Sequence, residues 1–485
     1  MQAIARFALR IVQRLVAGKA SLQATGRGRT ARHRRMIGTG SQGRNRVQPL
    51  GYTRGSSAVR VAMLSLHSAR KHSTGTPAGR SGEAPRIGLA IAGGGPIGAM
   101  YELGALRALD EACDGLDLTR MDCYVGVSSG AFLAAGLANR MDTAQMCRIF
   151  ITGDSTDVRF RPETFLRPAL MEYLRRLGAA PRLATGLARD LLLGRGDSRW
   201  SDLLTRIGGL VPTGLFDNAE VERFLRDVFT RRGRSNDFRK LERPLYVIAV
   251  DLDSGEAVRF GGEGWDDVPI SRAVQASAAL PGLYPPVELR GRQFVDGALR
   301  RTMHASVVLD RDVDLMIGIN PLVPFNAGTR RRSGTGKDER RIADGGLPVV
   351  LSQTFRTLLQ SRMQVGLARY AQQYPDIDQL VFEPNAADGE LFYTNVFSFA
   401  ARRRVCDLAY RNTLADLRAR ADVLRPLLAA HGIGLREDII ADSGRSILDG
   451  LARSPRHSDA TARLQRALDD IERRITPREH HIGHP

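Results

Sequence analysis

The sequence predicts an α/β fold around a mainly parallel central sheet. Three observations carry that prediction. Ile87–Ala92 is an apolar run too short for a helix, and it leads through Gly93-Gly94-Gly95-Pro96-Ile97-Gly98 into a helical pattern. Tyr124-Val125-Gly126-Val127 enters Ser128-Ser129-Gly130 and then an Ala/Leu-rich helix through Leu137. Further short apolar runs, Leu245–Val250 and Asp314–Ile319, follow at long intervals. Strand, glycine loop, helix, strand, tight turn, helix is the order of a parallel sheet with helical crossovers.

Taken in chain order, residues 1–85 come first and stand apart. Residues 1–86 hold 17 Lys and Arg against one acid, Glu83, a balance of +16, whereas the other 399 residues carry 54 against 51. Low hydrophobicity with high charge predicts a largely disordered basic arm. Within it Ile4, Phe7, Ile11 and Leu15 share a helical face flanked by Arg6, Arg10 and Arg14. That pattern suits a basic amphipathic helix on an anionic membrane, an acid-poor transit peptide, or an upstream extension without a role. The arm lacks the aromatic platforms that bind single strands, so no specific nucleic acid is expected. The near-balanced body excludes a single-signed field over the fold.

The body starts at Arg86. After the first strand, Met100, Leu103, Leu106 and Leu109 fall at helical spacing. Residues 141–240 read as mostly helical. Asp251-Leu252-Asp253-Ser254-Gly255 reads as a turn rather than a metal pair, because two acids at i, i+2 lack a third ligand. A helix over Ser271–Ala279 stops at Pro281, and Phe294-Val295 precedes Asp296-Gly297-Ala298. The division expected is a catalytic domain over 86–320, a helical extension over 321–430 with a flexible basic loop at 326–346, and a polar peripheral tail over 431–485. Cys113, Cys123, Cys147 and Cys406 form no C-x-x-C pair and read as buried apolar residues of a reducing compartment. No run reaches the ~18 apolar residues of a membrane span, and arginines break every apolar run near the N-terminus, so no secretory signal is expected. The expectation is an intracellular chain, cytoplasmic or peripheral to a membrane, of unknown oligomeric state.

Three motifs carry chemistry. The first is Gly93-x-Gly95-x-x-Gly98. Gly38, Gly40 and Gly43 repeat its spacing inside the arm with no strand before them, so it is the strand-to-helix context that gives the later match its meaning. Glycines there bring backbone N–H groups up to an anion at a helix N-terminus. Pro96 supplies none, which leaves Gly94, Gly95 and Ile97. The second is Gly126-Val127-Ser128-Ser129-Gly130, a G-x-S-x-G turn. It projects the Ser128 hydroxyl as a nucleophile and aims the Ser129 N–H at an oxyanion. The third is Asp296-Gly297-Ala298, on its own an ordinary turn. Ser128 needs a base, and of nine histidines only His304 falls in the core region. Both a Ser128–Asp–His304 triad and direct proton removal by a buried carboxylate stay open at this point.

In that order and spacing, the three motifs resemble those of the patatin-like phospholipase family. Ala276-Ser277-Ala278-Ala279-Leu280-Pro281, Tyr284-Pro285-Pro286-Val287 and Gly214-Leu215-Phe216-Asp217-Asn218 add to the resemblance. It covers roughly 86–320, and more weakly 347–417. The resemblance implies a three-layer α/β fold and a Ser128–Asp296 dyad, with Ser128 as nucleophile and Asp296 as base. It implies an oxyanion hole from the glycine loop, Gly93, Gly94, Gly95 and Gly98, with Gly94 and Gly95 as the donors. It further implies hydrolysis of a lipid acyl ester through an acyl-enzyme at a membrane surface, with no metal and no cofactor. Gly126, Gly130, Gly297 and Ala298 are the motif neighbours. Two positions depart from the family: Ile97 stands where Arg or Lys is frequent, and Pro96 stiffens the loop.

Four other readings meet the same residues. A dinucleotide site needs an acid at the end of the second strand, where Gly126-Val127-Ser128 stands instead. Gly334-Thr335-Gly336-Lys337 lacks the phosphate-loop spacing, and Asp338 follows where Ser or Thr should. A silent scaffold of the same fold, binding membrane or partners, is the alternative to an enzyme. A thioester or protein acyl hydrolase is the nearest chemical neighbour.

Overall fold

The computed structural model describes residues 63–69, 84–155, 158, 160, 213–214, 216–322, 346–384 and 399–451. All of them fall within one of the chain's two units, Val59–Pro485. The amphipathic face at 4–15, the basic loop at 326–345 and most of 156–212 lie outside the described residues.

The strands are β1 Met63–His67, β2 Ile87–Ile91, β3 Cys113–Asp114, β4 Cys123–Val127, β5 Leu245–Asp251, β6 Ala257–Phe260, β7 Val287–Leu289, β8 Arg292–Asp296, β9 Leu315–Ile319, β10 Asp378–Glu383 and β11 Gly434–Leu435. The helices used below are α1 Gly95–Ala112, α2 Ser129–Ala138, α3 Thr143–Cys147, α4 Ala219–Phe229, α5 Ile270–Ser277, α6 Ser306–Leu309, α7 Gly346–Gln373, α8 Phe399–Ala419 and α9 Ala421–Ala430.

One sheet runs in the order β1-β10-β9-β2-β4-β5-β8-β7, with β6 on β5 as a branch. Its centre, β10-β9-β2-β4-β5, is parallel; β1, β6, β7 and β8 pair antiparallel. Every residue of β2, β4, β5 and β9 is buried, which is why these strands read as continuous apolar runs. Neighbours along a strand face opposite ways. Leu89 and Ile91 join a core with α1, α2 and α8, while Ala90 and Ala92 join a second core with α6 and α7. A helical layer on each face of one sheet is the three-layer arrangement. On the first face α8 crosses α1 so closely that a Cβ at Gly104 would overlap the Cys406 carbonyl.

Three places differ from the sequence reading. Met63–His67, inside the segment read as a disordered arm, is the edge strand of the sheet; it pairs Met63 with Glu383 through His67 with Gln379. The Ser65 hydroxyl donates to Glu383 at 3.1 Å, and the Arg420 guanidinium donates to the Leu64 carbonyl. Asp378–Glu383 is a strand within a stretch read as helical, wholly buried between β1 and β9. Its polar ends hide the alternation, and the helical patterns on both sides dominate any window that spans it. The segment after 430 is not peripheral up to residue 451. His431 is buried with Nε2 2.7 Å from Asp378, Ile433, Ile439, Ile440 and Ile447 are core residues, and β11 pairs with β3.

Of the 141–240 stretch read as mostly helical, the described part holds α3, a π-helical turn over Arg148–Thr152 and α4. Phe216 N–H donates to the Leu283 carbonyl at 2.9 Å, and the Asn218 side chain accepts from Gln275 at 2.9 Å. Phe216 and Asn218 therefore dock on α5 and the loop that follows it.

Candidate active site

Ser128 sits between β4 and α2 with φ 53° and ψ −119°, a left-handed conformation that strains any residue with a Cβ. Its surroundings over-determine it. A Cβ on Gly126 would overlap Ala131, and one on Gly130 would overlap the carbonyls of Ile91 and Ala92, so both glycines of G-x-S-x-G are needed for close approach. The Ser128 N–H donates at 2.8 Å to the Ser277 hydroxyl, which donates at 2.5 Å to the Ile248 carbonyl. Ser277, fully buried at the end of α5, pins the turn to β5.

The register of β5 brings Asp296 to Ser128. β4 pairs with Leu245–Ile248, its last contact being Val127 with Ile248. β8 pairs with the remainder, Ala249–Asp251, running the other way, and its last residue Asp296 lies opposite Ala249. Two strands thus end at adjacent rungs of the same partner. Gly297 turns away at once, where a Cβ would overlap the Ile248 carbonyl and stand 3.1 Å from Val127. The glycine loop closes over both ends: a Cβ on Gly93 would lie 3.1 Å from the Ser128 Cβ and 3.2 Å from the Ala298 Cβ. All three motifs converge on one spot at the carboxyl ends of the parallel strands.

Asp296 is 3 % exposed. Burial pushes its carboxyl up to about 6, against the Ala298 N–H at 2.9 Å and the Ser128 hydroxyl, both of which favour the ionised form. His304 takes no part in this pair. Its Nε2 faces the Gly297 carbonyl at 3.4 Å, burial pulls its pKa down to about 4, and among the described residues no hydrogen bond joins it to Ser128 or Asp296. The triad arrangement is absent.

The loop corrects one detail of the sequence reading. Gly93 N–H donates to the Thr302 carbonyl at 3.1 Å, and Gly94 N–H donates to the Ser129 hydroxyl at 2.8 Å. Neither is available to an oxyanion, because a loop glycine whose N–H reads as free in sequence has found a partner from a distant element. Gly95, at φ 65° and at the first position of α1, and Ser129, at the first position of α2, have N–H groups that meet no acceptor among the described residues. Gly98 closes the turn, donating to the Gly94 carbonyl at 3.1 Å. A Cβ on Gly94 would overlap Pro321, which presses the loop from the β9 side.

Two polar residues of the site were not singled out in sequence. Ser277 has no role in the sequence reading beyond its place in the Ala276–Pro281 stretch, and Glu102 has none there at all. Glu102 is fully buried, accepts from the Ser129 hydroxyl at 2.8 Å, and is pushed well above the usual carboxylate range by burial. A carboxylate among the apolar positions Met100, Leu103 and Leu106 was the available signal. Asp251 is a turn former: its Oδ1 accepts from the N–H groups of Asp253 and Ser254, and its Oδ2 from Arg292 at 2.5 Å. Among the described residues no cluster of three His, Cys, Asp or Glu could hold a metal, and no helix is long and apolar enough to cross a membrane.

Uncharacterized NTE family proteins of Mycobacterium bovis and Mycobacterium tuberculosis are 28 % identical over about 300 residues, 58 % of this chain; the chain spans 40 % of their length. Among solved structures, VipD from Legionella pneumophila is similar over 75 % of this chain and 71 % of its own, at 17 % identity and a TM-score of 0.33. A human GIVD cytosolic phospholipase A2 is similar over 72 % and 63 %, at 12 % identity and a TM-score of 0.31. The family model described as patatin-like phospholipase matches residues 89–309. That span contains the elbow, the glycine loop and the Asp296 turn, and it belongs to the patatin-like phospholipase family.

Proposed function

We propose that the chain is a serine lipid acyl hydrolase working through a Ser128–Asp296 dyad. The observation that carries the reading is the meeting of β4 and β8 on β5, which sets a strained, buried serine beside a buried carboxyl held near 6. A base with a pKa near the operating pH combines ionisation with proton affinity. Asp296 takes the Ser128 proton as Oγ attacks the acyl carbonyl. The resulting oxyanion is met by the N–H groups of Gly95 and Ser129, each worth about 10²–10³ in rate in comparable sites. Collapse of the tetrahedral intermediate breaks the ester C–O bond, and Asp296 returns the proton to the departing alcohol. Water, deprotonated by Asp296, then attacks the acyl-enzyme; collapse breaks the acyl–Oγ bond, Asp296 returns the proton to Ser128 Oγ, and the fatty acid leaves. No step calls on a metal or cofactor.

The substrate class is an acyl ester of a phospholipid or lysophospholipid. Ile97 in place of a basic residue leaves the loop without a cation of its own, so head-group preference is expected to be loose. The +16 balance of residues 1–86 supports contact of the arm with an anionic membrane. Fluorophosphonate labelling tests the chemistry: one adduct on the Ser128 peptide is the expected result, lost in Ser128→Ala. A folded protein that takes no label and hydrolyses no lipid would instead be the silent scaffold.

A further inference from the structure

Ser129 has one hydroxyl proton and uses it away from its own helix. It donates to Glu102 Oε1 at 2.8 Å and accepts the Gly94 N–H at 2.8 Å. Glu102 lies beside the loop, since a Cβ on Gly98 would stand 3.4 Å from its Oε1. It has no exposed surface, and Oε2 has no partner among the described residues. An apolar residue at this position of α1 would avoid the cost of burying a carboxyl with one oxygen unpaired. What the carboxyl adds is a fixed acceptor for Ser129. Burial favours its neutral form, so no charge is set beside the oxyanion.

The three groups form a line from α1 through the first residue of α2 to the glycine loop. With the Gly93 N–H held by the Thr302 carbonyl and the Gly94 N–H held by the Ser129 hydroxyl, the two residues before Gly95 are tied down, and the Gly95 N–H is the next along the loop with no acceptor among the described residues. The Ser129 N–H belongs to the same residue whose side chain is tied down. We infer that Glu102 is a positioning residue that, through the Ser129 hydroxyl, aligns the Gly95 and Ser129 N–H groups on the oxyanion. The inference rests on the serine-hydrolase reading above.

The test uses the full chain and a short-chain p-nitrophenyl ester, with folding checked by circular dichroism. The variants are Ser128→Ala, Glu102→Leu, Glu102→Gln, Ser129→Ala and the Glu102→Leu/Ser129→Ala double. Misaligning donors costs less than deleting one, so Glu102→Leu should lower kcat about 10–100-fold, with KM within twofold. Glu102→Gln, which keeps an acceptor, should recover most of it. Ser129→Ala should match Glu102→Leu, and the double should be no worse than either single, because both act through one relay. Wild-type kcat in Glu102→Leu, or losses that multiply in the double, overturns the inference. Should Glu102→Leu fail to fold, Ser129→Ala decides: unchanged kcat overturns the inference, and a loss with unchanged KM supports it. Turnover surviving in Ser128→Ala would instead remove the underlying serine-hydrolase reading, whatever Glu102 does.

Discussion

Asp296→Asn should inactivate the protein and stabilise it, and the stabilisation should depend on pH in one direction only. The carboxyl titrates near 6 in the fold and at 3.8 in the unfolded chain. Below 3.8 both states hold the proton and the difference vanishes. As pH rises to 6 the unfolded chain ionises first, and stability is lost; above 6 the loss is complete. About 1.4 kcal/mol for each pH unit between the two values makes about 3 kcal/mol at pH 7–8. Asparagine keeps an oxygen for the Ala298 N–H at 2.9 Å and removes the charge. For a chain of this size, with about 2 cal/mol/K of unfolding entropy per residue, that is about 3 °C in thermal midpoint.

His304 runs the opposite way, and this shapes the control. Its value of about 4 lies below the 6.5 of the unfolded chain, so it costs stability as pH falls through that window. In the wild type the two slopes nearly cancel between pH 4 and 6.5. The quantity to read is therefore the difference in midpoint between Asp296→Asn and wild type, measured by differential scanning fluorimetry at pH 4 and pH 8. A gain of about 3 °C at pH 8 shrinking to none at pH 4 is expected. An equal gain at both pH values, or none at pH 8, refutes the claim that burial of an ionised Asp296 is the cost.

His304→Asn should keep ester hydrolysis within a few-fold, and its midpoint should fall less than the wild type's on going from pH 7 to pH 4; loss of turnover would restore a triad. Ser277→Ala removes the acceptor of the Ser128 N–H and the donor to Ile248, two buried bonds at about 1 kcal/mol each. It should lower the thermal midpoint by about 2 °C and kcat by about tenfold or more, because the strained elbow loses its tie; unchanged kinetics would show that the turn is held by its glycines alone. For the basic arm, a chain starting at Val59 keeps β1, whereas one starting at Arg86 strips the edge from β10. The shorter chain should aggregate or melt earlier, and only the longer one is a fair partner to the full chain in liposome cosedimentation; equal binding of the full chain and the Val59 chain to anionic vesicles would remove the arm's membrane role.

The centre of the fold was legible because buried parallel strands are short apolar runs and each was followed by turn chemistry: glycines after β2, G-x-S-x-G after β4, Asp-Gly after β8. Those turns are also the site, so reading the fold and reading the site were one act. What stayed hidden depends on long-range pairing. Met63–His67 alternates Leu64 and Leu66 with Ser65 and His67, but five residues amid Arg, Gly and Ser do not stand out. Asp378–Glu383 is short and lies between two long helices. Whether Gly94 or Gly95 offers a free N–H depends on where the Ser129 side chain turns, and that depends on Glu102, 27 residues away in the chain. Likewise, the residues alone leave both Asp296 and His304 open as the base, and it is the register of β8 on β5 that puts one at the elbow and leaves the other beside the Gly297 carbonyl.

The most direct test of the central claim is hydrolysis of phosphatidylcholine vesicles and of a short-chain ester by wild type, Ser128→Ala, Asp296→Asn and His304→Ala, each confirmed folded by circular dichroism. The account predicts turnover in wild type and His304→Ala, none in Ser128→Ala or Asp296→Asn, and a wild-type kcat/KM that climbs with pH through about 6 as Asp296 ionises. Full activity in folded Asp296→Asn, or a dead His304→Ala, would contradict it.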